Sequence, residues 1–158
     1  MGYTTFTGPV RAGNILNTTG TLPGVDVGNV GQVVMAQSAA IAEGVTPAGS
    51  TISGLTTISI PAYSQILSID FAVTVAFTNS VSIGNTVDGA TVDATYFADA
   101  VALAPGITGI TTTTPTQLDN WISVGYPDSQ VVVAGGLAAG PGRGVLTITY
   151  LQGPNGNA

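Results

Sequence analysis

The stretch Ile66-Leu67-Ser68-Ile69-Asp70-Phe71-Ala72-Val73-Thr74-Val75-Ala76-Phe77 decides the fold class. Leu67, Ile69, Phe71, Val73, Val75 and Phe77 alternate with Ser68, Asp70, Ala72, Thr74 and Ala76. A strict period of two places the apolar row on a core and the small or polar row outward. A helix would spread the same six apolar residues around its whole circumference. The segment therefore reads as a strand with one buried face.

Shorter segments on either side repeat the theme. Residues 32–37 centre on Val33, Val34 and Met35, and 56–60 alternate through Ile58 and Ile60 before Pro61, which cannot donate to a ladder. Residues 81–83 end at Gly84, and 130–133 end at Gly135-Gly136. Residues 145–151 put Leu146, Ile148 and Tyr150 on one face and Thr147 and Thr149 on the other. Many short strands separated by Gly, Pro and Asn turns indicate an all-β chain, an antiparallel β-sandwich. Two places compete for helix. Thr114-Pro115-Thr116-Gln117 fits a capping box with Pro at the first helical position, which would set Leu118, Trp121 and Ile122 on one face. The all-β context favours instead a loop feeding a strand over 121–124, ahead of the turn Gly125-Tyr126-Pro127-Asp128. Within 93–101, Tyr96 and Phe97 could start a single helical turn, and nothing forces a longer helix.

Three regions are expected: an irregular N-terminal arm (1–31), a sandwich domain (32–152) and an exposed C-terminal tail (153–158). Gly8-Pro9 and Gly20-Thr21-Leu22-Pro23-Gly24 break the arm into fragments. Such a segment cannot bury enough apolar surface alone, so it is expected either to stay mobile or to lie along a neighbour. No repeat of 20–50 residues is visible, which argues against a solenoid.

The chain of 158 residues has no Cys, His or Lys, and its two cationic side chains are Arg11 and Arg143. That inventory removes imidazole-assisted nucleophiles, lysine Schiff bases and thiolate or imidazole zinc sites. No cofactor is expected. Charged residues make up 6% of the chain, against roughly 25% in ordinary soluble domains. Either much of the surface is covered in an assembly, or this is a Thr-rich β-protein of a marine or acidic host; composition alone does not separate the two. Two arginines against eight carboxylates leave almost no non-specific affinity for nucleic acid. Apolar runs break well short of the ~20 residues a spanning helix needs, so no membrane role is expected. The opening Met1-Gly2-Tyr3-Thr4-Thr5-Phe6 lacks signal-peptide features, and Phe6 stands where myristoylation wants Ser or Thr.

Carboxylates are the catalytic or metal-binding groups that remain. Asp88, Asp93 and Asp99 cluster in one stretch and could offer a glycosidase pair or oxygen ligands to Ca²⁺. Asp88-Gly89 fits a turn better, and the spacing does not match an EF-hand. Asp70 falls on the outward row, where a carboxylate is solvated, paired with Arg, or blunting an edge. Gly140-Pro141-Gly142-Arg143-Gly144 superficially resembles a phosphate loop, but a strand follows it where a helix would be needed. Its glycines read as a turn, with Arg143 tied to a carboxylate. Asn17-Thr18-Thr19 is a glycosylation sequon by pattern only. Trp121 reads as core rather than as a sugar platform.

Three segments carry a more specific likeness. Pro61-Ala62-Tyr63-Ser64-Gln65-Ile66-Leu67-Ser68-Ile69 leads into the alternating strand, and Ser82-Ile83-Gly84-Asn85-Thr86-Val87-Asp88-Gly89 follows it. Gly142-Arg143-Gly144-Val145-Leu146-Thr147-Ile148-Thr149-Tyr150-Leu151-Gln152 closes the domain. Together with the opening Thr7-Gly8-Pro9-Val10-Arg11-Ala12-Gly13, this resembles the small jelly-roll head decoration (cement) proteins of tailed bacteriophages. The resemblance covers most of 56–152 plus that opening, and residues 14–31 match no pattern of the family. It implies a jelly-roll β-sandwich, no active site, a place on the outer surface of the capsid head, and homo-oligomers, often trimers, bound to the major capsid protein. Within the arm, Tyr3, Phe6, Val10 and Arg11 are the candidate contacts with the capsid or a neighbour. The alternative from another class is a receptor- or glycan-binding module of a tail fibre or spike, which requires an exposed aromatic platform.

Overall fold

Alternating apolar residues can bury one face of a sheet only against a second sheet, and the chain resolves that constraint with two. A computed structural model describes residues 34–43, 54–134 and 140–152. Among them lie β1 (Val34–Ala42), β2 (Leu55–Ile60), β3 (Gln65–Val75), β4 (Val81–Thr86), β5 (Asp93–Val101), β6 (Gly106–Gly109), α1 (Pro115–Ile122), β7 (Ser129–Ala134) and β8 (Arg143–Leu151). One sheet, here sheet A, has the order β1-β8-β3-β6, and the other, sheet B, has β2-β7-β4-β5. Every pairing is antiparallel. The first strand pairs with the last and the second with the next to last, so the chain winds between the sheets as a double Greek key. That is the strand order of a jelly roll, as the resemblance implied.

The core is the sum of the inward rows. Leu146, Ile148 and Tyr150 of β8 are buried on one face as the alternation requires, opposite Ile83, Phe97, Val131 and Val133 of sheet B. Phe71 meets Phe77 edge-on at 5.4 Å between ring centroids. β2 ends at Ile60, ahead of Pro61, as its sequence demands.

β3 departs from strict alternation. Ile69, Phe71, Val73 and Phe77 are buried, but Leu67 and Val75 are exposed and Ile66 is buried instead. The register against β8 shifts between Ile66 and Ser68 and again between Val73 and Val75. Each bulge inserts one unpaired residue and reverses the facing of the chain at that point. A bulge is set by the partner strand, so the one-strand pattern could not show it. Asp70 lies on a central strand, not an edge, and accepts a hydrogen bond from Ser68 Oγ at 2.9 Å.

One further expectation is corrected. Residues 115–122 form a helix, not a loop and strand: Thr114 Oγ1 accepts from Gln117 N–H at 3.2 Å, and Pro115 opens the first turn. Gln117 Oε1 reaches back to Thr113 N–H at 2.8 Å, so the box closes one residue early. Residues 93–101 are a strand in which Tyr96 and Phe97 start no helical turn, and Gly106–Gly109 adds a short strand that its sequence did not announce. No helix among the described residues is long and apolar enough to cross a membrane.

Candidate functional site

The carboxylates are dispersed into structural tasks. Asp88 accepts from Ala90 N–H at 2.8 Å, Thr91 N–H at 2.7 Å and Thr86 Oγ1 at 3.1 Å. Those donors, Ala90 and Thr91 first, hold its carboxyl far below the usual carboxylate range, and Gly89 completes the turn with φ +70°. The turn reading of Asp88-Gly89 is therefore what the structure shows. Asp99 accepts from Ser82 Oγ at 2.7 Å and Asp93 from Thr95 N–H at 3.2 Å. Among the described residues, no group of three His, Cys, Asp or Glu side chains could hold a metal ion. Asp93 and Asp99 do share a small polar cleft of about 150 Å³, floored by Gln117 and Asn120 of α1. Beside it, burial and then the Asp93 charge push the Tyr96 phenol above its usual value.

That cleft marks where α1 seals sheet B. Gln117 Nε2 donates to Thr95 O, Asn120 Nδ2 to Tyr96 O and Trp121 Nε1 to Phe97 O, at 3.1, 2.8 and 2.9 Å. Three consecutive carbonyls of the edge strand are thus capped by three side chains of one helix. They are free to accept because β5 bulges away from β4: Ile83 pairs with Ala98 but Asn85 pairs with Asp93. Gly84 sits under the bulge, and a Cβ there would strike the Asp93 and Ala94 backbone. Trp121 is half-buried against the core, and its indole N–H is satisfied inside the protein.

Glu43 is a buried carboxylate that sequence reasoning missed. It is 2% exposed and accepts from Thr78 N–H at 2.6 Å, Gly142 N–H at 2.8 Å and Thr78 Oγ1 at 3.1 Å. Burial pushes its pKa up, but the Gly142 and Thr78 bonds, helped by the Arg143 charge, outweigh this and leave it below its usual value. The Gly-rich loop exists to let this carboxylate in. A Cβ on Gly142 would lie 2.8 Å from Glu43 Cδ, and one on Gly144 would lie 2.6 Å from the Phe71 ring. Among the described residues Arg143 makes no direct tie to a carboxylate: its Nη1 donates to Gly142 O at 2.8 Å. The partners of Glu43 stand 35 and 99 residues away, so no local motif could have announced it.

Among the described residues, the outer face of sheet A and one end of the sandwich face solvent with apolar or aromatic groups, as do Leu118 and Ile122 of α1. On the outer face of sheet A, Ala40, Val145 and Ala72 share one cross-strand row, with Ile107 paired beside Ala72. All four are exposed, Ile107 at 82%. Asp70 and Arg143 are the charged residues of this face. At one end of the sandwich Tyr63 and Tyr126 stack at 6.3 Å between centroids and 22° between planes. Their loops are joined by Tyr63 N–H to Gly125 O and Ala62 N–H to Asp128 Oδ1, both 2.9 Å. This exposed aromatic pair is where the glycan-binding alternative would need its platform, and Trp121 is not part of it. The arm residues Tyr3, Phe6, Val10 and Arg11, and the sequon at Asn17, lie outside the described residues.

No protein-family model matches the chain, and no curated protein matches it by sequence. Among solved structures, a chain from the capsid of Ralstonia phage GP4 is 20% identical, with 77% of this chain and 86% of that chain covered and a TM-score of 0.53. A chain from the acid-stable capsid of Helicobacter pylori bacteriophage KHP30 is 18% identical over 75% of this chain and 87% of that one, with a TM-score of 0.47. A chain of the cyanophage Pam1 capsid asymmetric unit is 20% identical over 89% and 98%, also at 0.47. What the GP4 chain shares with this one is the sandwich fold.

Proposed function

We propose that this chain is a structural virion protein that decorates and cements a bacteriophage capsid, bound through the major capsid protein on the outer surface of the head. The observation that carries this reading is the outer face of sheet A, an exposed row of small and apolar side chains with sparse charge. Such a face suits close contact with another protein surface and offers no chemistry to a substrate. The fold shared with a chain of the GP4 capsid and the segments that resemble cement proteins support it. Binding only to the assembled shell would stabilise that shell by mass action. Several copies joined in one oligomer, the trimer of the resembling family included, would multiply weak contacts through effective concentration.

Contacts of this kind depend little on ion pairs, so particles washed in molar NaCl should keep the protein. Detachment in moderate salt would contradict the reading. The arm, with Tyr3, Phe6, Val10 and Arg11, is proposed to reach a neighbouring subunit. Deleting residues 1–13 should lower occupancy on particles while leaving the sandwich folded, and unchanged occupancy would remove the arm from the mechanism.

Glycan recognition is the second reading, and the Tyr63–Tyr126 pair is the observation in its favour. It predicts that tyrosine fluorescence responds to a cell-surface polysaccharide and that Tyr126→Ala abolishes the response.

A further inference from the structure

We propose that Asp70 sets the specificity of the sheet A face, and that the protein surface it meets presents one basic side chain, an arginine or a lysine, to this carboxylate. The inference rests on the reading that this face meets the shell, and adds what the partner must carry there. Asp70 stands in a cross-strand row with Ser38, Thr147 and Gly109 that spans all four strands of the sheet. Its sequence neighbours Ile69 and Phe71 are buried, so its own side chain points outward, where it is half-buried. The row of Ala40, Val145, Ala72 and Ile107 runs beside it, two residues along each strand and about 7 Å away. A surface that shuts water off the apolar row therefore covers Asp70 as well.

The other polar groups of this patch are matched to one another. Ser38 Oγ and Thr147 Oγ1 share a hydrogen bond at 2.9 Å, and Ser68 Oγ donates to Asp70 Oδ2 at 2.9 Å. Asp70 Oδ1 accepts no hydrogen bond among the described residues and lies over Gly109, where an added Cβ would stand 3.7 Å from it. With no side chain at that position, a donor can reach this oxygen from the β6 side. Arg143 does not serve it: that residue pairs with Val75, two rows away, and its Nη1 donates to Gly142 O and Pro141 O. A carboxylate taken out of water needs a partner charge and hydrogen bonds, so a wholly apolar surface is disfavoured here and an acidic one is repelled. A basic side chain supplies both needs and complements a chain of net charge −6. One pair closed off from solvent is screened little, so retention in molar NaCl is still expected.

The full-length chain, added back to phage heads that lack it, tests this through three variants whose circular dichroism should match that of the wild type. Asp70→Asn keeps the shape and removes the charge, and it should weaken binding at least about tenfold, in low salt and in molar NaCl alike. Ser68→Ala keeps the carboxylate and should bind as the wild type does. Ala72→Glu sets a second carboxylate in the apolar row and should abolish binding, which reports on the face itself. If Ala72→Glu abolishes binding while Asp70→Asn binds as tightly as the wild type or more tightly, the face meets the shell without a basic group, and this inference alone falls. If Ala72→Glu binds normally, the reading of the face falls and takes the inference with it. A loss in Asp70→Asn that vanishes in molar NaCl would reveal steering at a distance in place of a closed pair. A loss of equal size in Ser68→Ala would reveal a role in the fold. Either result would overturn the proposal.

Discussion

Sheet A keeps nine residue pairs in unbroken register between β1 and β8, whereas sheet B is shifted at both of its outer pairings. The difference extends to chemistry. Sheet B carries buried Thr56, Asn85, Thr86 and Ser129, and side chains replace the ladder bonds that its bulges forfeit. Thr56 Oγ1 donates to Val131 O at 2.8 Å, Gln130 Nε2 to Thr56 O at 2.7 Å and Asn85 Nδ2 to Ser129 Oγ at 3.0 Å. Sheet B has its edge strands engaged, β2 by the Gln37 amide of β1 and β5 by α1. Among the described residues, sheet A presents an exposed outer face with little charge. A chain with almost no charge cannot guard its surfaces with lysine, so sheet B is satisfied internally while the outer face of sheet A stays exposed.

The comparison can be broken by substitution, and the core comes first. Phe71→Ala removes a fully buried ring from the sheet A side and should cost about 3–5 kcal/mol in chemical denaturation. Gln117→Ala uncaps Thr95 O and frees Thr113 N–H, which should cost about 1–3 kcal/mol. That loss should come with faster amide exchange in β5 and no change in β1. Uniform exchange across both sheets would show that α1 does not seal sheet B locally.

Acid tests the Glu43 latch that ties the end of β1 to the turns at Thr78 and Gly142. Its carboxyl titrates below the usual 4.5 in the folded chain, so on acidification the unfolded chain takes up protons first. The stabilisation is present above about pH 4.5 and is lost as the pH falls through the folded value. Tm should therefore drop on acidification below that point, and less steeply in Glu43→Gln. Identical slopes would remove Glu43 from the account.

The smallest effect is expected where periodicity and structure disagree. Leu67→Ser should change stability by no more than about 0.5 kcal/mol, because the bulge turns this side chain to solvent. A loss matching that of a buried leucine would restore the uninterrupted alternation of β3.

Much of the fold was legible in Ile66 to Phe77, because period two has one structural solution when a second sheet is available to cover it. What stayed hidden depends on partners distant in sequence. The bulges at Leu67 and Thr74 are set by pairing with β8, whose partners Tyr150 and Arg143 lie far along the chain. Glu43 is buried by Thr78 and Gly142. The helix did carry its own signal in Thr114-Pro115-Thr116-Gln117, a local cap that forms despite the all-β context. A jelly roll leaves room for a helix in the crossover between its sixth and seventh strands, where it covers an edge. Trp121 packs half-buried against the core, fixed by its N–H on Phe97 O, while Tyr63 and Tyr126 form an exposed aromatic pair.

The central claim is that sheet A meets a shell. A cryo-electron microscopy reconstruction of particles carrying this chain tests it most directly. The account predicts hundreds of copies on the head, with the Ala40, Val145, Ala72 and Ile107 face against another protein. A handful of copies at the tail, or a head whose copies turn that face to solvent, would contradict it.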